Sequence, residues 1–133
     1  MEKVKERIKS ARLALNALKE ALAIENPSLL ERDGTIQRFE FTYEAVWKAA
    51  QLFLREIEKT EVASPKGVVR DSYKAGILDE ETAYKMLEMA DARNLTVHTY
   101  NEEFAITIFR STRDYCALLE TWINAMEQRL EDQ

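Results

Sequence analysis

Apolar residues recur along this chain at the alternating three- and four-residue spacings that mark one face of a helix. In the first segment Val4, Ile8, Ala11, Leu15, Leu18 and Leu22 form a stripe, and Lys3, Lys5, Glu6, Lys9, Arg12 and Lys19 fall mostly off it. The spacing predicts a helix over roughly residues 3–24. Pro27, in the segment Glu25-Asn26-Pro27-Ser28, ends the pattern. A connector holding Asp33-Gly34 is expected next. A long second helix then places Ile36, Phe39, Tyr43, Val46, Ala50, Phe53 and Ile57 inward. Phe41, Trp47 and Leu54 lie beside that stripe and widen its apolar face, as in a helix that meets more than one neighbour.

Ser64-Pro65 reads as an N-cap followed by proline at the first helical position, where the missing amide costs nothing. A short third helix starts there and stops near Gly76. Asp79 is placed to cap a fourth helix with Ala83, Met86, Leu87 and Ala90 inward. The segment RNLTVHTY, residues 93–100, follows directly. Asn101, with Glu102 and Glu103 behind it, then reads as the capped, charge-complemented start of a last helix. Its stripe is Phe104, Ile108, Thr112, Tyr115, Leu119, Trp122 and Met126. No alternating run, Asn-Gly turn or solenoid repeat is present. The expected fold is all-α: an antiparallel up-and-down bundle of four main helices and a short extra one.

Length and composition fit this picture. A chain of 133 residues suits a single domain spanning 1–133, with three glycines and two prolines, 46% hydrophobic and 32% charged residues. The net charge of −5 argues against a broad basic surface that holds nucleic acid by phosphate neutralisation alone, so any RNA contact has to be local. Cys116 is the only cysteine and sits in an apolar stretch, which points to a buried thiol. The charged N-terminus offers neither a signal core nor a membrane run, so a cytoplasmic protein without membrane contact is expected.

Candidate chemistry is sparse. One histidine and one cysteine, eighteen positions apart, do not make a zinc site, and no glycine-rich phosphate motif occurs; neither metal nor cofactor is expected. Glu80-Glu81 and Glu102-Glu103 lie near helix starts, where they interact favourably with the helix dipole. What remains is 93–100, unusually polar for a bundle crossing. On a continuous helix Arg93 and His98 would point roughly 140° apart at 3.6 residues per turn, so a break between them is required if they are to converge.

RNLTVHTY resembles the Arg-Asn-x-x-x-His-x-Tyr signature of HEPN-domain proteins. The wider chain is similar to their branch of nucleotidyltransferase substrate-binding proteins, through RDGTIQRFEFTYEAVWKAAQ, SPKGVVRDSYKAGIL and RNLTVHTYNEE in order. Ala92 and Val97 stand where relatives often carry an aspartate and a small polar residue. The resemblance implies a helical homodimer in which Arg93 and His98 of both subunits face one cleft, with Asn94 holding the geometry. It implies a metal-independent endoribonuclease toxin, neutralised by a minimal nucleotidyltransferase (MNT) antitoxin.

These residue types suit that chemistry. RNA carries its own nucleophile, the 2′-hydroxyl, so the protein has to supply a proton acceptor, a proton donor and a cation for the phosphate. An imidazole titrates near neutrality, and a guanidinium forks onto two phosphate oxygens. One histidine per chain leaves either the acid or the base missing, and a two-fold dimer supplies it. Tyr100 reads either as an aromatic at a helix junction or, by resemblance, as the acceptor of adenylate from the partner. His98 taken alone also fits a satisfied helix-terminal histidine. A non-catalytic subunit that presents substrate to a nucleotidyltransferase is the alternative function. Trp47 and Trp122 are expected in the core or a dimer contact, and Arg38, Glu40 and Tyr43 fall within the family-like block, as candidates to border the cleft or the partner surface without assigned roles.

Overall fold

The computed structural model describes residues 1–133 and contains helices and turns, with no strand. Five α-helices follow in order: α1 Glu2–Leu22, α2 Leu29–Glu56, α3 Pro65–Lys74, α4 Glu80–Asn94 and α5 Glu102–Glu131. A single 3₁₀ turn, Leu95–His98, joins α4 to α5. The expected helical bundle is therefore what forms, with α3 as the short element. No helix is long and apolar enough to cross a membrane.

The periodic stripes become the core. Val4, Ile8, Ala11, Leu15 and Leu18 of α1 are buried against Phe39, Tyr43, Val46, Ala50 and Phe53 of α2 and Leu119, Trp122 and Met126 of α5. Each fully buried Val, Leu, Ile, Phe or Met side chain among them contributes about 1.5–3 kcal/mol. Polar threads add register. The Thr42 hydroxyl lies 3.1 Å from the Ala14 carbonyl, and Arg38 donates to the Ala17 carbonyl at 2.7 Å, tying α2 to α1. Arg113 and Arg129 close the C-terminal ends of α1 and α3 by donating to the carbonyls of Leu22 and Ala75. α3 rests on α2 and α4. Cys116 is buried, as its surroundings require.

The helix starts are set by the residues that the sequence marks for them. Ser64, Asp79 and Asn101 each accept a backbone N–H from the first turn of their helices. One expected connector is absent. Asp33-Gly34 lies inside α2, because Ser28 and Glu31 form a reciprocal capping box that starts the helix at Leu29, seven residues before Ile36. The cap outweighs the weak helix propensity of a single interior glycine.

Two positions depart from the expected stripes. Leu54 lies in the core itself. Phe104, expected inward, is 40% exposed, because Ala105 takes the inward place at the start of α5 and packs with Ile36 and Ile108 in a small separate cluster. Trp122 is fully buried, whereas Trp47 is half-buried and donates its indole N–H to Glu44.

Candidate functional site

The chain breaks helicity where the site requires it. α4 ends at Asn94, the 3₁₀ turn runs to His98, and α5 starts after Asn101. The junction is held by short local bonds. The Thr96 hydroxyl donates to the Arg93 carbonyl at 2.7 Å, the Thr99 amide to Thr96 at 3.3 Å and the Asn101 amide to His98 at 2.9 Å. Thr96 is buried and serves as the peg of the turn.

Arg93 sits in the last turn of α4, where a cation is favoured by the carbonyl end of the helix. Its side chain is about one-third exposed. Nη2 is 3.5 Å from Oε2 of Glu44, and the guanidinium carbon lies 5.9 Å from the centre of the Tyr43 ring. Nε is buried without a hydrogen-bond partner, so the guanidinium is not saturated by the protomer. Its two neighbours register its charge. Burial pushes the Glu44 carboxyl up, but hydrogen bonds from Trp47 and Lys48, with the charges of Lys48 and Arg93, hold it below the usual carboxylate range. Burial pushes the Tyr43 phenol up to about 12 against the opposing pull of Arg93, so it stays neutral at physiological pH.

His98 closes the 3₁₀ turn and is half-buried. Its Nδ1 is 3.4 Å from the Tyr100 hydroxyl. Its ring lies edge-on to that of Tyr100, with centres 5.8 Å apart, and 6.1 Å from the ring of Phe104. Tyr100 is 85% exposed, so its hydroxyl is open to solvent as well as near the histidine. Asn94 is exposed, and its side chain makes no hydrogen bond within the protomer. His98 and Tyr100 therefore meet directly, while no hydrogen bond joins His98 to Arg93.

Sequence reasoning left Tyr43 without a role and passed over two further contributors, Glu44 and Arg32. Glu44 reads as an ordinary surface partner of Lys48, and nothing local links it to residue 93. Arg32 carried a usable signal, because it extends the inward stripe of α2 one turn back from Ile36, placing a cation at a core position. It forks onto Glu102, with Nη1 2.5 Å and Nη2 3.2 Å from the two carboxylate oxygens. Glu102 therefore answers a specific partner as well as the helix dipole.

The family model for nucleotidyltransferase substrate binding protein-like chains matches residues 6–128. A solved structure from Thermus thermophilus superposes with a TM-score of 0.83 at 52% identity, covering 87% of this chain and 98% of that one. A Haemophilus influenzae protein described as a probable ribonuclease, HepT, is 27% identical over 100 residues, 72% of this chain and 67% of its own. The fold is also that of one chain in a toxin–antitoxin complex, MntA–HepT. The TM-score there is 0.79 at 13% identity, over 96% of this chain and 99% of that one.

Proposed function

The chain belongs to the family of nucleotidyltransferase substrate-binding-like proteins, and on that premise we propose that it is the HEPN-type toxin of a toxin–antitoxin pair, a metal-independent endoribonuclease working as a homodimer. The observation that carries this reading is the α4–α5 junction. Arg93 ends one helix with an unpaired Nε–H, His98 ends the intervening turn, and both side chains are partly exposed. The names of the Haemophilus ribonuclease and of the MntA–HepT complex point the same way.

In the proposed reaction one His98 takes the proton of the 2′-hydroxyl, which attacks the adjacent phosphorus. The 5′-oxygen leaves with a proton from the second His98, giving a 2′,3′-cyclic phosphate and a 5′-hydroxyl. Arg93 binds the phosphate oxygens as charge builds on them. Asn94, exposed and unbonded in the protomer, is free to support the site from across the dimer. Exposed apolar side chains around the junction favour a second copy there: Leu95, Val97, Phe104 and Ile106, with Phe41 on α2 60% open.

The partner in this reading is an MNT antitoxin that transfers adenylate from ATP to the Tyr100 oxygen, with release of pyrophosphate. The added anion stands beside His98 and repels the RNA backbone. The alternative, a non-catalytic substrate-binding subunit, draws on the Glu44 carboxylate that already neutralises Arg93 in the resting protomer.

Incubation of RNA with wild type and His98→Ala in the presence of chelator separates the two. Cleavage by wild type to cyclic-phosphate ends, lost in the variant, is expected. Equal cleavage by both removes His98 from the reaction, and no cleavage of tRNA or mRNA by unmodified wild type favours the binding subunit.

A further inference from the structure

Arg32 is the one charged residue among the buried side chains, with 11% of its side chain exposed. Its position is costly in two ways. A guanidinium is removed from water, and it lies in the first turns of α2, where the exposed amides disfavour a cation. Packing alone would be served by an apolar residue, as one turn later at Ile36. The whole guanidinium is committed instead. Besides the fork onto Glu102, Nε and Nη2 donate to Asp33 at 3.1 and 2.9 Å. These carboxylates hold the guanidinium firmly protonated, and Arg32 in turn holds the Glu102 carboxyl below its usual range.

Glu102 is the first residue of α5 and follows the Asn101 cap directly. Only Thr99, Tyr100 and Asn101 separate it from His98, and the Asn101 amide donates back to the His98 carbonyl. A displacement of Glu102 thus reaches His98 through three residues. The same helix, α2, carries Glu44 and Tyr43 against Arg93.

We propose that Arg32 is a positioning residue for His98: by clamping Glu102 it fixes the start of α5, and with it the turn bearing His98 and Tyr100, to the helix that also seats Arg93. Both halves of the site are then referenced to one rigid element. The inference rests on the reading of Arg93 and His98 as the reactive pair.

His98 is the only histidine, so its ring resonances are an unambiguous probe that needs no RNA. Glu102→Gln, at an exposed position, removes the charge from the clamp; Arg32→Lys keeps a cation but loses the fork. Both variants are expected to shift or broaden the His98 ring signals while core methyl signals stay in place. Both should lower kcat on a defined oligonucleotide by about tenfold or more, with KM little changed. A clamp that is merely structural would lower the melting temperature and leave the ring signals and kcat as in wild type, which overturns the proposal. So would shifted ring signals with unchanged kcat. If wild type cleaves no RNA while the ring signals still move, the ribonuclease reading fails and the positioning of His98 stands.

Discussion

Nη2 of Arg93 stands 3.5 Å from Oε2 of Glu44, so the cation of the junction is paired across two helices before any ligand arrives. Under the proposed function an incoming phosphate would share the Arg93 cation with that carboxylate, which would couple affinity for RNA to stability of the resting protomer at Glu44.

The first prediction concerns pH. The folded-state value of Glu44 is lowered, so its interactions stabilise the protein above the ordinary carboxylate range, and this contribution disappears as pH falls through the lowered value. Glu44→Gln should be less stable than wild type at neutral pH, by no more than about 1 kcal/mol for an ion pair this exposed. The difference should vanish in strong acid. Urea titrations of both proteins across pH measure it; a gap that widens on acidification contradicts the assignment.

Arg93→Lys preserves charge but not the planar fork or the stacking on Tyr43. RNA cleavage is expected to fall at least about tenfold. Single-turnover rates at saturating protein would isolate the chemical step, and an unchanged rate would mean that only the charge matters.

Tyr100 is mostly in solvent, so Tyr100→Phe should change stability by less than about 0.5 kcal/mol. The same variant should refuse adenylate from the partner enzyme and ATP. Thermal melts and intact-mass spectra test both halves; adenylate persisting on the variant would place the acceptor elsewhere.

Two glycines should respond in opposite directions. A Cβ at Gly34 meets nothing within 4 Å, and the residue is in mid-helix, so Gly34→Ala is expected to stabilise by about 0.5–1 kcal/mol. A Cβ at Gly67 would lie 2.6 Å from Val62 Cγ2 and 2.8 Å from the Ser64 hydroxyl that caps α3. Gly67→Ala should destabilise, and a melting temperature raised by that substitution would show that the cap gives way freely.

Most of the architecture is legible from periodicity and caps. Ser64, Asp79 and Asn101 are short-range signals whose partners lie within three residues, so sequence alone carries them. Ser28 and Glu31 carry the same kind of signal, but Asp33-Gly34 imitates a turn and masks it. The site divides along the same line. Arg93, His98 and Tyr100 lie within eight residues, and helix geometry makes a break between the first two a condition of their convergence. Glu44 and Tyr43 reach Arg93 across about fifty positions, a contact set by the tertiary fold, in which α3 and α5 pack on both α2 and α4. Arg32 could have been noticed as a cation on an apolar stripe, but its partner at 102 is a product of the fold.

The 3₁₀ turn has one more consequence. Its amides are held by a few short-range bonds, while α2 and α5 are buried along most of their length. Segments of this kind open at a free energy well below that of global unfolding. Residues 95–101 should exchange their amide hydrogens first. Denaturant too weak to disturb helix content should then already separate His98 from its neighbours, so inactivation and melting would be two events with two midpoints.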